Sequence, residues 1–222
     1  MGQPAIARPS TVQELVLAEL RRALVAGELA ADSRIGQEDL AERLGVSRHP
    51  IREALKVLEG EGQLSYVPRR GYFVTALSPS DLAEIYRMRQ LLENEAVAVG
   101  ARLLTNDHLA ELAQAHLAMA QAIAQHDLAA LTAANRTFHF TLLKPAGMPR
   151  LARMVSQLWD ASNPYRARHF SDPENQLLSH REHSRILDAA RQRDPERLIQ
   201  LLDEHRSHAV PTLRRTLGET GP

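Results

Sequence analysis

Residues 40–74 read LAERLGVSRHPIREALKVLEGEGQLSYVPRRGYFV, and the succession of patterns in this stretch decides the architecture of the first part of the chain. A short helix from Gln37 ends at Gly45, and a turn leads to Ser47, a good N-cap for a second helix. Pro50 is tolerated there because it falls in the first turn, and Gly60 and Gly62 end the helix. The period then changes. Leu64, Tyr66 and Val67 precede the breaker PRRG and Tyr72, Phe73 and Val74 follow it, which predicts a small β-hairpin. Upstream, Val12, Leu15, Val16, Leu20 and Leu24 mark an amphipathic helix that stops near residues 26–28. Helix, turn, helix and hairpin in this order predict a winged helix-turn-helix.

That geometry gives the polar residues a direction. Ile51, Leu55 and Leu58 form the inward face of the second helix, so Arg48, His49 and Arg52 point outward from the end that meets base edges in a major groove. Arginine suits bidentate contact with guanine, and helix N-termini favour phosphate. Arg69 and Arg70, before Gly71, suit a hairpin tip reaching along the backbone or into the minor groove. Over 43–70 the cations Arg43, Arg48, Arg52, Lys56, Arg69 and Arg70 outnumber Glu53, Glu59 and Glu61, whereas the preceding helices are acidic. The alternative reading is a solvated helix face.

Composition narrows the rest. The chain has 222 residues, zero formal net charge and no cysteine. Bulk charge therefore names no partner, and disulfides, thiolate metal sites and cysteine nucleophiles are excluded. The opening MGQPAIARPSTVQ lacks the apolar core of a signal peptide. No apolar run approaches the roughly 20 residues that cross a bilayer, so a soluble cytoplasmic protein without membrane contact is expected.

Residues 1–10 read as a flexible tail and 11–77 as the DNA-binding domain. From 78 to 222 the pattern is helical throughout. Ser80 is the expected first cap, and helices are predicted at about 80–103, 106–124, 126–144, 149–168, 176–192 and 195–216. The fold class is thus mainly α, a winged unit followed by a six-helix antiparallel bundle. His139 shares a face with Asn135, Leu142 and Leu143; His183 with Ile186, Leu187 and Ala190; His205 with Leu198, Leu201, Leu202 and Ala209. Three inward imidazoles on different helices suit Zn²⁺ or Ni²⁺ with open positions left for a further ligand. Hydrogen-bonded core histidines are the alternative. His180 and His208 are less central on their helices. No carboxylate near the three histidines stands out as a general base, which weighs against a metalloenzyme acting on a small acid.

The quoted stretch resembles the winged helix-turn-helix of the GntR transcription regulators, where a VSR.P.REAL..L..EG run precedes a hairpin with RG..V. The remainder, opening DLAEIYRMRQLLENEAV, resembles the FCD ligand-binding domain of the FadR/VanR branch, and the six-helix count and short C-terminal region match the VanR-like subset. The resemblance implies that Arg48 and Arg52 read operator bases, with Ser47, His49, Arg69, Arg70 and Gly71 in support. Some relatives use an arginine where this chain has Glu38, so that contact is absent or replaced. It also implies a divalent metal held through an Asp-x-x-x-His pair and two later histidines. Asn135, His139, His183 and His205 fall at those places, with a neutral amide where a carboxylate is usual.

An arginine at the place of Arg89 commonly faces the ligand cavity in the family; its alternative here is an ion pair with Glu93, four residues on. Tyr165, Arg166 and Arg168 are weaker candidates for the same effector pocket. The expected protein is a homodimeric repressor on a palindromic operator in double-stranded DNA, released by a small organic acid. A direct metal sensor is a further alternative.

Overall fold

The computed structural model describes residues 11–25, 27–75 and 78–216, with side chains through 208. The tail expected at 1–10, and Ala209 beside His205, lie outside what is described. The chain forms two compact units, Met1–Ala76 and Leu77–Pro222.

In the first unit α1 (Val12–Val25), α2 (Gln37–Leu44) and α3 (Arg48–Gly60) surround a core of Val16, Leu20, Leu24, Leu40, Ile51, Leu55 and Leu58. Val12 and Leu15, counted in the apolar pattern of α1, are exposed, because only the face of Val16, Leu20 and Leu24 meets the core. Gly45 adopts the left-handed conformation at the α2 C-cap (φ 65°), which glycine enters without Cβ strain. Ser47 occupies the α3 N-cap position, although its side chain makes no capping bond.

The hairpin forms as predicted, β2 (Leu64–Val67) against β3 (Gly71–Val74). A third strand, β1 (Arg34–Ile35), pairs with the other edge of β3 and gives the antiparallel order β1-β3-β2. Two residues carry no readable period, so this strand is invisible to pattern analysis. At the tip Arg69 (φ 64°) and Gly71 (φ 95°) both take positive φ.

The second unit contains α4 (Pro79–Gly100), α5 (Asn106–Ala124), α6 (Leu128–Leu143), α7 (Pro149–Ala161), α8 (Asn163–Phe170), α9 (Pro173–Gln192) and α10 (Pro195–Thr216). Ser78, rather than Ser80, is the N-cap of α4: its hydroxyl accepts from the Asp81 N–H and Pro79 begins the helix. Among the described residues the bundle has seven α-helices, not six. The helix expected at 149–168 breaks at Ser162, which is wholly buried. Pro164 lacks the N–H that would bond back into α7, so a new helix, α8, starts with that proline in its first turn. Arg166, on α8 after this break, is buried.

The bundle core runs from Leu112 and Met119 through Phe138 and Leu142 to Trp159, Ile186, Leu198 and Leu202. Gly100 allows α4 to approach the turn at 144–146; a Cβ there would stand 2.8 Å from the Ala146 nitrogen.

Candidate functional site

On the first unit, Ser47, Arg48, His49 and Arg52 are all exposed at the N-terminal end of α3, as the inward packing of Ile51, Leu55 and Leu58 requires. Arg48 pairs with Glu38 on α2 at 2.7 Å, and both side chains stand about seven-tenths in solvent. Arg52 has His49 Nδ1 at 3.4 Å and Glu53 at 3.6 Å. Arg69 and Arg70 are exposed on the hairpin tip, with the Arg70 guanidinium 5.1 Å from the Phe73 ring centre. Arg34 of β1, a residue sequence reading missed, lines an open concavity together with Glu38, Arg48 and Gly71.

The second unit gathers its polar residues inside. His139 (α6), His183 (α9) and His205 (α10) converge so that one ligating atom from each lies within 4.8 Å of the others. His139 Nε2 is 3.0 Å from His183 Nε2. The opposite nitrogens are anchored from behind: His183 Nδ1 donates to the Ser179 carbonyl (2.6 Å), and His205 Nδ1 faces the Glu182 carboxylate (2.6 Å). Nδ1–H donation leaves the Nε2 lone pair of each ring available to the cluster. Burial first, then the neighbouring imidazoles, hold His139 and His183 well below the ordinary histidine pKa, so both are neutral at pH 7.

Asn135, one turn before His139 and also lining this cavity, is buried with no protein partner for its Oδ1. A buried amide oxygen without a hydrogen bond costs about 1–3 kcal/mol. Three converging imidazole nitrogens, beside a cavity wall that carries an orphaned amide oxygen, fit a divalent cation of the Zn²⁺ or Ni²⁺ kind.

Beside the histidines lies a charged lattice centred on Glu93. Its carboxylate accepts from Arg89 Nε, Arg206 and Trp159 Nε1, each at 2.8 Å. Burial pushes this carboxyl up, but the charges of Arg89 and Arg206 and the bonds it accepts outweigh that and hold it below the carboxylate range. The ion pair of Arg89 with Glu93 therefore forms, and the same guanidinium stacks 4.0 Å from the Trp159 ring centre while lining the cavity.

Arg166, also on the cavity wall, is different. It donates to the neutral oxygens of Ser162, Trp159 and Asn163, and burial, aided by the charge of Arg89, lowers it to about 9. Tyr165 does not line this cavity: its hydroxyl bonds Asp81 at 2.8 Å and Ser78, at the start of α4. Arg168 is exposed. Trp159, His169, Ser179, Glu182, Arg206 and His208 line the cavity without having been singled out for it. Only the inward phase of Trp159 and Arg206 on their helices could have flagged any of them.

Residues 12–74 match the family described as bacterial regulatory proteins, gntR family, and residues 84–208 match the FCD domain. The chain belongs to the GntR family. It is 35% identical to the HTH-type transcriptional regulator McbR of Escherichia coli (strain K12) over 146 residues, 66% of each chain. It is 30% identical to the HTH-type transcriptional regulator BphR of Paraburkholderia xenovorans (strain LB400), covering 95% of this chain and 88% of that one. The HTH-type transcriptional repressor GlaR of E. coli is 25% identical over 89% of this chain and 94% of its own. The solved structure of E. coli McbR/YncC superposes with a TM-score of 0.82 at 28% identity, over 94% of this chain and 99% of that one. This GntR protein is a DNA-binding transcriptional regulator; its family and relatives are regulators rather than enzymes. No helix among the described residues is long and apolar enough to cross a membrane.

Proposed function

We propose that this regulator is a homodimeric repressor whose operator affinity is set from inside the helical unit by a divalent metal and a small carboxylate. Arg48, Arg52 and the tip residues Arg69 and Arg70 engage the operator, with Ser47, His49 and Gly71 in support. A symmetric dimer presents two α3 helices to the halves of a palindrome. The relative GlaR is named a repressor, which supports the sign of regulation.

The observation that carries the sensor reading is the convergence of the three imidazoles, with the partnerless Asn135 Oδ1 on the wall of the cavity that His139 and His205 also line. When bound there, a divalent cation offers open coordination positions to an anionic oxygen ligand. This chain's own contribution is to orient. Ser179 and Glu182 set two of the rings, Asn135 presents a neutral oxygen, and Arg166 keeps its charge on neutral partners, ready for a carboxylate. Arg89 contributes its stacked face at the cavity wall while its charge is shared with Glu93.

A ligand can shift the DNA-bound population only by binding one conformation better than another. The test is fluorescence anisotropy of operator DNA with metal-stripped and zinc- or nickel-loaded protein, across a panel of small mono- and dicarboxylates. The expected result is release by a carboxylate from loaded protein alone. Release by the same acid from stripped protein would overturn the metal's part in it.

One observation favours a second reading, in which the metal itself is the signal. The cavity volume is only about 30 Å³, room for a few water molecules at most, so an organic acid is enclosed there only if the walls move apart. Reversible loss of DNA binding on chelation, with no acid present, would select this reading.

A further inference from the structure

We propose that Glu182 is a positioning residue for the imidazole cluster, fixing the tautomer of His205 and supplying the negative charge that the four inward donors lack. The inference rests on the metal reading above. Its starting point is charge. Asn135 offers an amide oxygen and the three histidines offer imidazole nitrogens, so none of these four donors is a carboxylate. A divalent cation stripped of water in such a place is costly unless a counter-charge is close.

Two buried carboxylates stand in this part of the bundle, and they are committed differently. Glu93 is spent on Arg89 and Arg206, with Trp159 Nε1 as a third donor. Glu182 lines the cavity and bonds imidazoles: His205 Nδ1 at 2.6 Å through one oxygen, and His208 Nδ1 through the other. A carboxylate behind an imidazole Nδ1–H makes the opposite nitrogen a better donor and holds the ring in place. His183 has the corresponding support from the Ser179 carbonyl, which orients but brings no net charge.

The sequence position adds to the argument. Glu182 immediately precedes His183 on α9, while His205 and His208 lie on α10. One helix therefore provides both a candidate ligand and the partner of a ligand on the next helix. The rival account is a plain polar tie between α9 and α10. That account predicts a loss of stability and no dependence on the charge of residue 135.

The experiment measures the zinc dissociation constant of the full chain by competition with a chromophoric chelator, for native protein, E182Q, N135D and the double variant, with His205→Ala as the control that locates the site. Melting temperatures are recorded alongside. E182Q is expected to weaken zinc by about 10–100-fold. Asn135→Asp, which puts a carboxylate into the donor set, should recover most of that loss in the E182Q background and gain much less in the native one. The proposal is overturned if E182Q binds zinc within about twofold of native, the usual additivity error, or if N135D gives the same factor in both backgrounds. Should E182Q not fold, N135D alone decides: a gain within about twofold supports a counter-charge already present, and a tenfold gain or more opposes it. Native protein that binds no zinc ends the metal reading itself, which is distinct from native binding that E182Q leaves unchanged.

Discussion

Arg48 and Arg89 each sit within hydrogen-bond distance of a glutamate, yet they represent opposite uses of charge in the two units. Arg48 and Glu38 meet at 2.7 Å with both side chains in solvent. Such a pair contributes between zero and about 1 kcal/mol and is easily exchanged for a phosphate or a base edge. Arg89 and Glu93 meet at 2.8 Å with side chains 4% and 2% exposed, inside a lattice completed by Arg206 and Trp159. That pair cannot be opened without stranding a charge. The winged unit's charges stay in solvent, open to a partner, and the helical unit's are committed to one another, while Arg166 rests on neutral oxygens and Asn135 Oδ1 has no protein partner. Spare bonding capacity, rather than charge itself, marks where a ligand goes.

The contrast fails or sharpens on four measurements. Glu93→Ala strands the buried Arg89 guanidinium and removes one of the two carboxylates paired with Arg206, and should lower unfolding free energy by about 3–5 kcal/mol in chemical denaturation. A loss under about 1 kcal/mol would mean that the lattice is open to solvent. Arg52→Ala should weaken operator binding by about 1–3 kcal/mol, equivalent to at least a several-fold loss in gel shift, with melting temperature and metal affinity unchanged. Unaltered operator affinity would remove Arg52 from the interface.

Lowering pH separates the units next. Burial depresses His169 to about 4, and His139 and His183 well below 6.5, so the unfolded chain binds more protons than the folded one below about 6.5. Stability of the metal-free helical unit is therefore full above pH 6.5 and falls as pH drops from 6.5 toward 4, by up to about 1.4 kcal/mol per unit for each such group. A flat melting temperature between pH 7 and 5 would contradict their burial. The smallest effect is expected for Glu38→Gln, with stability unchanged to within about 1 kcal/mol and a shift in operator affinity read by anisotropy. A large destabilisation there would make the Arg48 pair structural.

The reader was almost fully legible. Its face residues follow from helical phase, and helical phase is local: once Ile51, Leu55 and Leu58 turn inward, Arg48 and Arg52 must turn outward. What escaped was β1, whose two residues are a strand only because β3 offers an open edge. The sensor was legible in part. His139, His183 and His205 were identified as inward, and they are. Their partners were not, because Glu182 meets His205 and Glu93 meets Arg206 across helices, at separations of 23 and 113 residues. Tyr165 was a weaker candidate for the cavity, but its hydroxyl serves the start of α4 instead.

By itself, then, the sequence determined the family, the order of the elements apart from β1 and the break between α7 and α8, and the inward face of most helices, because these depend on local period, capping and turn chemistry. Tertiary structure alone decided which inward groups meet. It gave Arg206 and Trp159 to Glu93, left Arg166 on neutral oxygens and Asn135 Oδ1 without a partner, and set Glu182 behind His205. The physical reason is that a buried polar group must find its partner at hydrogen-bond distance, and in a bundle that partner comes from another helix, at no fixed spacing in sequence.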